Sequence, residues 1–198
     1  MTEMFDYENF YESIATLMPT KCILCEIGVA NGDSALYLAK QLNEKGKDFK
    51  LYMVDNLDYG GVLQLKQIYE NIIKSGLGHR IEVIPFGSIK AAKMFNGGSV
   101  NFVFIDSSHE YKETKQSIRN WYGKLVDGGY LAGHDFLSHN GVSLAVEELL
   151  PYTIQRETID DKVNDHYQEF EPHEFLQIEN TTNGNGIWKI QKNFYFKP

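Results

Sequence analysis

Cysteine is scarce in this chain: two residues among 198, Cys22 and Cys25. Their C-x-x-C spacing raises redox or zinc chemistry, but both lie inside the apolar run Cys22-Ile23-Leu24-Cys25. Residues three apart on a strand point to opposite faces, so the two thiols are badly placed to share a metal or a disulfide. No second pair completes a zinc site, and buried core thiols are expected. Positive charge is also short, with 19 Lys and Arg against 27 Asp and Glu and a net charge of −8. Surfaces that grip phosphates are basic, so the balance speaks against nucleic acid and for a small-molecule partner. Long apolar runs are missing, which excludes a membrane-spanning helix. The opening Met1-Thr2-Glu3-Met4-Phe5-Asp6 lacks the basic and apolar regions of a secretory signal, and a cytoplasmic location is expected. There is no Pro- or Ser-rich linker, no repeat and no low-complexity tract, and the length suits a single domain over 1–198.

What is present is an alternation of short apolar segments with amphipathic ones. Cys22 to Gly28, Lys50 to Asp55, Arg80 to Pro85, Asn101 to Asp106 and Tyr130 to Gly133 read as five strands. Between them Ser34 to Asn43, Val62 to Ser75 and Glu110 to Leu125 carry apolar residues at three- and four-residue spacings, among them Leu65, Ile68, Ile72 and Ile118, Trp121, Tyr122, Leu125. Gly76 and Gly128 stand where helix-ending glycines belong. This pattern predicts a mostly parallel, doubly wound α/β sheet with right-handed crossovers. An N-terminal segment over 1–20 is expected to be helical between Phe5 and Leu17, with Phe10, Ile14 and Leu17 on one side. Val142 to Leu150 reads as a further helix and Gly186 to Ile190 as a last strand. The polar stretch 151–185 before it has little period and suits a lid or insertion.

Chemistry concentrates at two places. Asn101 to Tyr111 and Leu131 to Asp135 place Asp106, His109, His134 and Asp135 directly after two strands, where an open α/β sheet has its ligand crevice. Upstream, Glu26-Ile27-Gly28-Val29-Ala30-Asn31-Gly32-Asp33-Ser34 is a strand running into a glycine turn and a helix start, a nucleotide-type cofactor loop. The pyrophosphate fingerprint G-x-G-x-x-G is absent, because Gly28 and Gly32 are four apart. Glu26 instead offers a carboxylate to a cationic amino group, and a buried carboxylate needs a partner. Asp55, closing the second strand, offers acceptors to a ribose diol, or else caps a turn.

These residues resemble the class I S-adenosylmethionine-dependent methyltransferases. More narrowly they are similar to the small family grouped with macrolide-sugar O-methyltransferases and cephalosporin-hydroxylase-like proteins. The matching pieces are Glu26 to Gly32 with Ser34, Val54-Asp55, Phe86-Gly87-Ser88, Phe104 to Tyr111 with its I-D-x-x-H core, and the Leu125 to Asp135 stretch ending Gly-His-Asp. The resemblance implies a Rossmann-like seven-stranded sheet in the order 3-2-1-4-5-7-6, the last strand antiparallel. It implies that Glu26 and the Gly28 to Gly32 turn hold the methionine moiety, Asp55 the ribose hydroxyls and Ser88 the adenine region. It also implies that Asp106, His134 and Asp135 bind a divalent metal and that His109 is the general base. His134 departs from the pattern, standing where an acid or amide is usual.

Strands 1, 4 and 5 of such a sheet are neighbours, so Glu26, Asp106 and His134-Asp135 are expected along one stretch of the crevice. Two carboxylates suit magnesium, and an added imidazole shifts preference toward manganese or another transition metal. His134 can equally turn into the core and bond a carbonyl. The expected reaction is transfer of the sulfonium methyl to a hydroxyl of a small acceptor, a sugar, natural product or catechol-like ring. Of the other histidines, His79 reads as a surface residue, His139 and His166 as substrate contacts without a defined role, and His173 has a weaker claim. A nicotinamide-dependent oxidoreductase and a non-catalytic cofactor-binding protein are the alternatives, and oligomeric state stays open, a homo-oligomer included.

Overall fold

The computed structural model describes residues 5–150, 176–181 and 183–192. After helix α1 (Glu8–Leu17) the chain alternates through β1 (Lys21–Ile27), α2 (Asp33–Glu44), β2 (Asp48–Val54), α3 (Gly61–Ser75), β3 (Ile81–Ile84), α4 (Ser88–Ala92), β4 (Val100–Ile105), α5 (Tyr111–Tyr122), β5 (Leu125–Gly133) and α6 (Asn140–Leu149). Two further strands follow, β6 (Gln177–Glu179) and β7 (Ile187–Gln191). The seven strands form one sheet in the order β3-β2-β1-β4-β5-β7-β6. Strands β1 to β5 run parallel, and β7 is antiparallel to both β5 and β6. The expected strand order and the antiparallel last strand are therefore present.

Apolar side chains cover both faces of the sheet, as parallel strands require. One core layer gathers Phe10, Tyr11 and Ile14 of α1, Leu38 and Leu42 of α2 and Ile68 and Ile72 of α3 over Leu24, Leu51, Met53, Phe102 and Phe104. The other gathers Ala91 and Ala92 of α4, Ile118 and Trp121 of α5 and Val142 and Val146 of α6 over Ile27, Val54, Val103, Ile105, Leu131 and Trp188. Cys22 belongs to the first layer and Cys25 to the second, so the C-x-x-C straddles the sheet with both thiols free. Burial pushes both thiols above their ordinary range, which leaves them unreactive packing groups.

The main departure from the sequence reading is at residues 123–129. The predicted helix to Leu125 ends at Tyr122, and Leu125 is instead fully buried at the start of β5. The backbone explains it: the Lys124 carbonyl accepts the Ser99 and Val100 amides, so the chain has joined the sheet by that point. Gly128 ends no helix; with φ +80° it sits in a bulge of β5 between the Val100–Leu125 and Phe102–Tyr130 pairs. On α1, Phe10 and Ile14 are buried as expected, but Leu17 is half exposed and Tyr11 takes the third core position. The short helix α4 had no counterpart in the sequence reading, and strand β6, implied by the seven-stranded order, had no residues assigned to it. Strand β6 lies within the stretch 151–185 expected to be a lid or insertion; residues 151–175, with His166 and His173, fall outside the described residues. Among the described residues no helix is long and apolar enough to cross a membrane.

Candidate active site

The carboxyl ends of β1, β4 and β5 lie side by side, paired Ile27 to Ile105 and Ile105 to Gly133. The residues that follow these strands are thereby brought together. Gly28 makes the close approach possible: at φ +86° it carries no Cβ, and a Cβ there would stand 1.9 Å from the Asp106 carbonyl oxygen.

Glu26, near the end of β1, is completely buried. Tyr11 donates its hydroxyl to one carboxylate oxygen at 2.7 Å, and Ser34 donates to the other. Burial pushes the carboxyl up to about 8 against the pull of these two hydroxyls. Ser34 thus braces Glu26 from the first turn of α2. Gly32, the left-handed residue before α2, closes the turn with its amide on the Val29 carbonyl. Asp55, also buried, holds that turn from β2. One of its oxygens accepts the Val29 and Ala30 amides at 2.9 and 3.2 Å, and the other accepts the Leu57 amide and the Gln64 side-chain amide at 2.7 and 3.1 Å. A carboxylate has about four lone-pair sites, so Asp55 is fully engaged by its own chain. Ser88 stands farther along the crevice, after the edge strand β3, with its hydroxyl accepting the Trp121 indole N–H at 3.0 Å.

Around Asp106 the groups are all ionisable. His134 Nδ1 lies 3.7 Å from Asp106 and 3.3 Å from Asp135. Its Nε2 stands 2.9 Å from Asp6, without hydrogen-bond alignment. Tyr7 donates its hydroxyl to Asp106 at 3.0 Å and packs its ring on His134 with centroids 5.0 Å apart. Burial lifts the Asp106 carboxyl above its ordinary range, against the pull of His134. Burial works against a charge on His134, yet Asp135, Asp106 and Asp6 together raise it above the usual imidazole range. Asp135 is opposed by burial too, but His134 leads the groups that bring it down to about 2.

Asp135 turns its second oxygen outward, to His109 Nε2 at 2.8 Å. His139, opening α6, stacks its ring on His109 with centroids 3.9 Å apart. Asp135 holds φ +64°, a left-handed conformation costly for a residue with a Cβ. Two trios therefore bring ligand atoms within 4.8 Å of one another, Asp106-His134-Asp135 and His109-Asp135-His139. A bound metal fits the first by its chemistry, two carboxylates and an imidazole converging with no lysine or arginine paired to them among the described residues.

A family model described as a methyltransferase domain matches residues 25–136. The chain belongs to this methyltransferase family. Its fold is shared with solved structures of low sequence identity. An rRNA methylase from Streptococcus thermophilus is 15% identical with a TM-score of 0.67, covering 98% of this chain and 99% of that one. A SAM-dependent O-methyltransferase from Thermotoga maritima is 16% identical with a TM-score of 0.62, covering 100% and 69%. A Streptococcus mutans protein in complex with SAH is 14% identical with a TM-score of 0.65, covering 96% and 98%. No curated protein matches the chain. As a class I methyltransferase it takes S-adenosylmethionine as cofactor.

Of the residues singled out from sequence, Glu26, Gly28, Ser34, Asp106, His109, His134 and Asp135 meet at the β1, β4 and β5 ends. His79 lies in the turn Gly78–Arg80 that precedes β3, at the other end of the sheet. The sequence reading missed Asp6, Tyr7 and Tyr11. The only trace they leave in sequence is the aromatic density of 5–11, a signal shared with ordinary core helices.

Proposed function

We propose that this methyltransferase O-methylates a small acceptor bearing adjacent oxygens, with the help of magnesium or manganese. The observation that carries the reading is the convergence of Asp106, His134 and Asp135, with His109 on the outer oxygen of Asp135. Asp106, His134 through Nδ1 and Asp135 would hold the ion, whose contribution when bound is Lewis acidity that lowers the acceptor hydroxyl's pKa. His134 is favoured as a ligand over a core histidine because Nδ1 faces both carboxylates while Asp6 stands at Nε2.

S-adenosylmethionine supplies a methyl group on a sulfonium. Glu26 would hold its amino group, oriented by Ser34 and Tyr11, while Gly28 and Gly32 keep the turn bare for the methionine moiety. Asp55 would act chiefly by holding that turn, with Gln64 the contact a ribose hydroxyl most readily replaces. Ser88 marks the adenine side. Asp135 would hold His109 by Nε2–H, leaving Nδ1 of the neutral ring to accept the hydroxyl proton. The acidic balance, 19 Lys and Arg against 27 Asp and Glu, favours such an acceptor over RNA.

The test is a methyl-transfer screen of sugars, diols and catechols with isotopically labelled cofactor, with magnesium and with chelator. The expected result is transfer to a vicinal-oxygen acceptor that stops with chelator and returns with the ion. Transfer undiminished by chelation overturns the metal's role.

A further inference from the structure

We propose that His109, Asp135 and His139 form a second metal site, selective for zinc-class transition ions, which shares Asp135 with the first. His109 Nε2 lies 2.8 Å from one Asp135 oxygen and His139 Nδ1 lies 3.5 Å from the other. Tetrahedral ligands about 2.1 Å from a zinc ion lie roughly 3.4 Å from one another; the three donors here lie within 4.8 Å of one another, and one imidazole must swing out of the stack to aim its lone pair at a common ion. Ser138 places its hydroxyl 3.1 Å from Asp135 and 2.9 Å from His139 Nδ1, a further oxygen at the same point.

The trio is held by the fold. The His139 amide donates to the Asp135 carbonyl at 3.0 Å, closing the left-handed turn that presents both residues. Two residues on, Gly141 packs against the His109 backbone so closely that a Cβ would stand 2.2 Å from its carbonyl oxygen. That contact locks the start of α6 to the loop after β4, and the two rings stack as a result.

Donor chemistry separates the two sites. Asp106, His134 and Asp135 are two carboxylates and one imidazole, whereas the outer trio is two imidazoles and one carboxylate. Imidazole-rich sets prefer zinc, cobalt or copper to magnesium. Access differs as well: the His109 and His139 side chains are 44% and 41% exposed, against 9% for His134. An aqueous ion reaches the outer trio without opening the core.

If His109 has the role proposed above, an ion on Nε2 shifts the neutral ring's proton to Nδ1, the nitrogen that would accept the hydroxyl proton, and stops proton transfer. The site itself does not depend on that role.

Cobalt(II), a spectroscopic stand-in for zinc, tests it. The full-length chain is titrated and bound ion is counted by equilibrium dialysis, with the visible absorption of cobalt as second readout. His139→Ala should bind one equivalent fewer than wild type and lose part of the absorption, with an unchanged circular dichroism spectrum. An unchanged number of equivalents in both His139→Ala and His109→Ala overturns the site. His134→Ala tests the inner site separately, since it should remove a different equivalent and leave the outer cobalt spectrum in place. With a working acceptor and saturating magnesium, one equivalent of zinc should inhibit wild type several-fold more than His139→Ala, each relative to its own zinc-free rate. Equal inhibition overturns the competition for His109.

Discussion

Asp6 meets His134 from about two thirds of the chain's length away, its carboxylate 2.9 Å from Nε2 and both side chains 9% exposed or less. With Nε2 on the Asp6 side, Nδ1 faces Asp106 and Asp135. A histidine ligand is commonly oriented in this way by a carboxylate on its other nitrogen. Replacing Asp6 by Ala should weaken manganese binding about 10- to 100-fold, the usual effect of losing such a partner. Asp6→Asn, which keeps an acceptor, should recover part of it. Calorimetric titration with manganese checks both; equal affinity in all three proteins would remove Asp6 from the site.

Glu26 predicts a pH dependence with a defined sign. Its carboxyl is raised by burial from an ordinary 4.5 to about 8, so the folded chain keeps a proton that the unfolded chain has released. Its contribution to stability is complete below pH 4.5 and is lost as pH rises toward about 8. Glu26→Gln, which cannot ionise, should melt near wild type at pH 5 and above it at pH 8. The same proton should leave when the cofactor's ammonium group arrives. Calorimetry at pH 7 in two buffers of different ionisation enthalpy should report proton release on cofactor binding; none would place Glu26 out of the amino group's reach.

Asp55 joins the fold to the candidate cofactor site. Asp55→Ala removes the acceptor of four hydrogen bonds, including that of the buried Val29 amide, while the Gln64 side-chain amide keeps the Ala30 carbonyl. Hydrogen bonds to a charged group contribute about 1.5 to 3 kcal/mol each, so both the melting temperature and cofactor affinity should fall. Weaker binding with unchanged melting would mean that Asp55 meets the ribose directly and that its grip on the turn counts for little.

His109→Ala should lower turnover about 10²- to 10⁴-fold, the contribution of a positioned general base. Manganese equivalents at the inner site and cofactor affinity should be unchanged, since neither uses that ring. Near-normal turnover would leave another group as the proton acceptor.

Local pattern was enough for the parallel part of the sheet and for the strand-end residues of the candidate site. The alternation of apolar segments specifies β1 to β5 because each strand's burial is written in its own residues, and Asp106, His134 and Asp135 follow from their places at strand ends. The boundary at Leu125 was illegible because an apolar residue after Trp121 and Tyr122 continues a helical period, and only the pairing of Lys124 with the start of β4 breaks it. The role of His134 was undecidable in sequence, since an imidazole serves equally as ligand or core residue. The structure adds Asp6 at Nε2, brought alongside when Phe10, Tyr11 and Ile14 bury α1 on the sheet face, and it is this contact that favours the ligand reading proposed above. The His109–His139 stack is likewise a product of tertiary packing, set by the contact of Gly141 with the His109 carbonyl. Contacts between residues so distant in the chain have no period to announce them; they exist only once the core has closed.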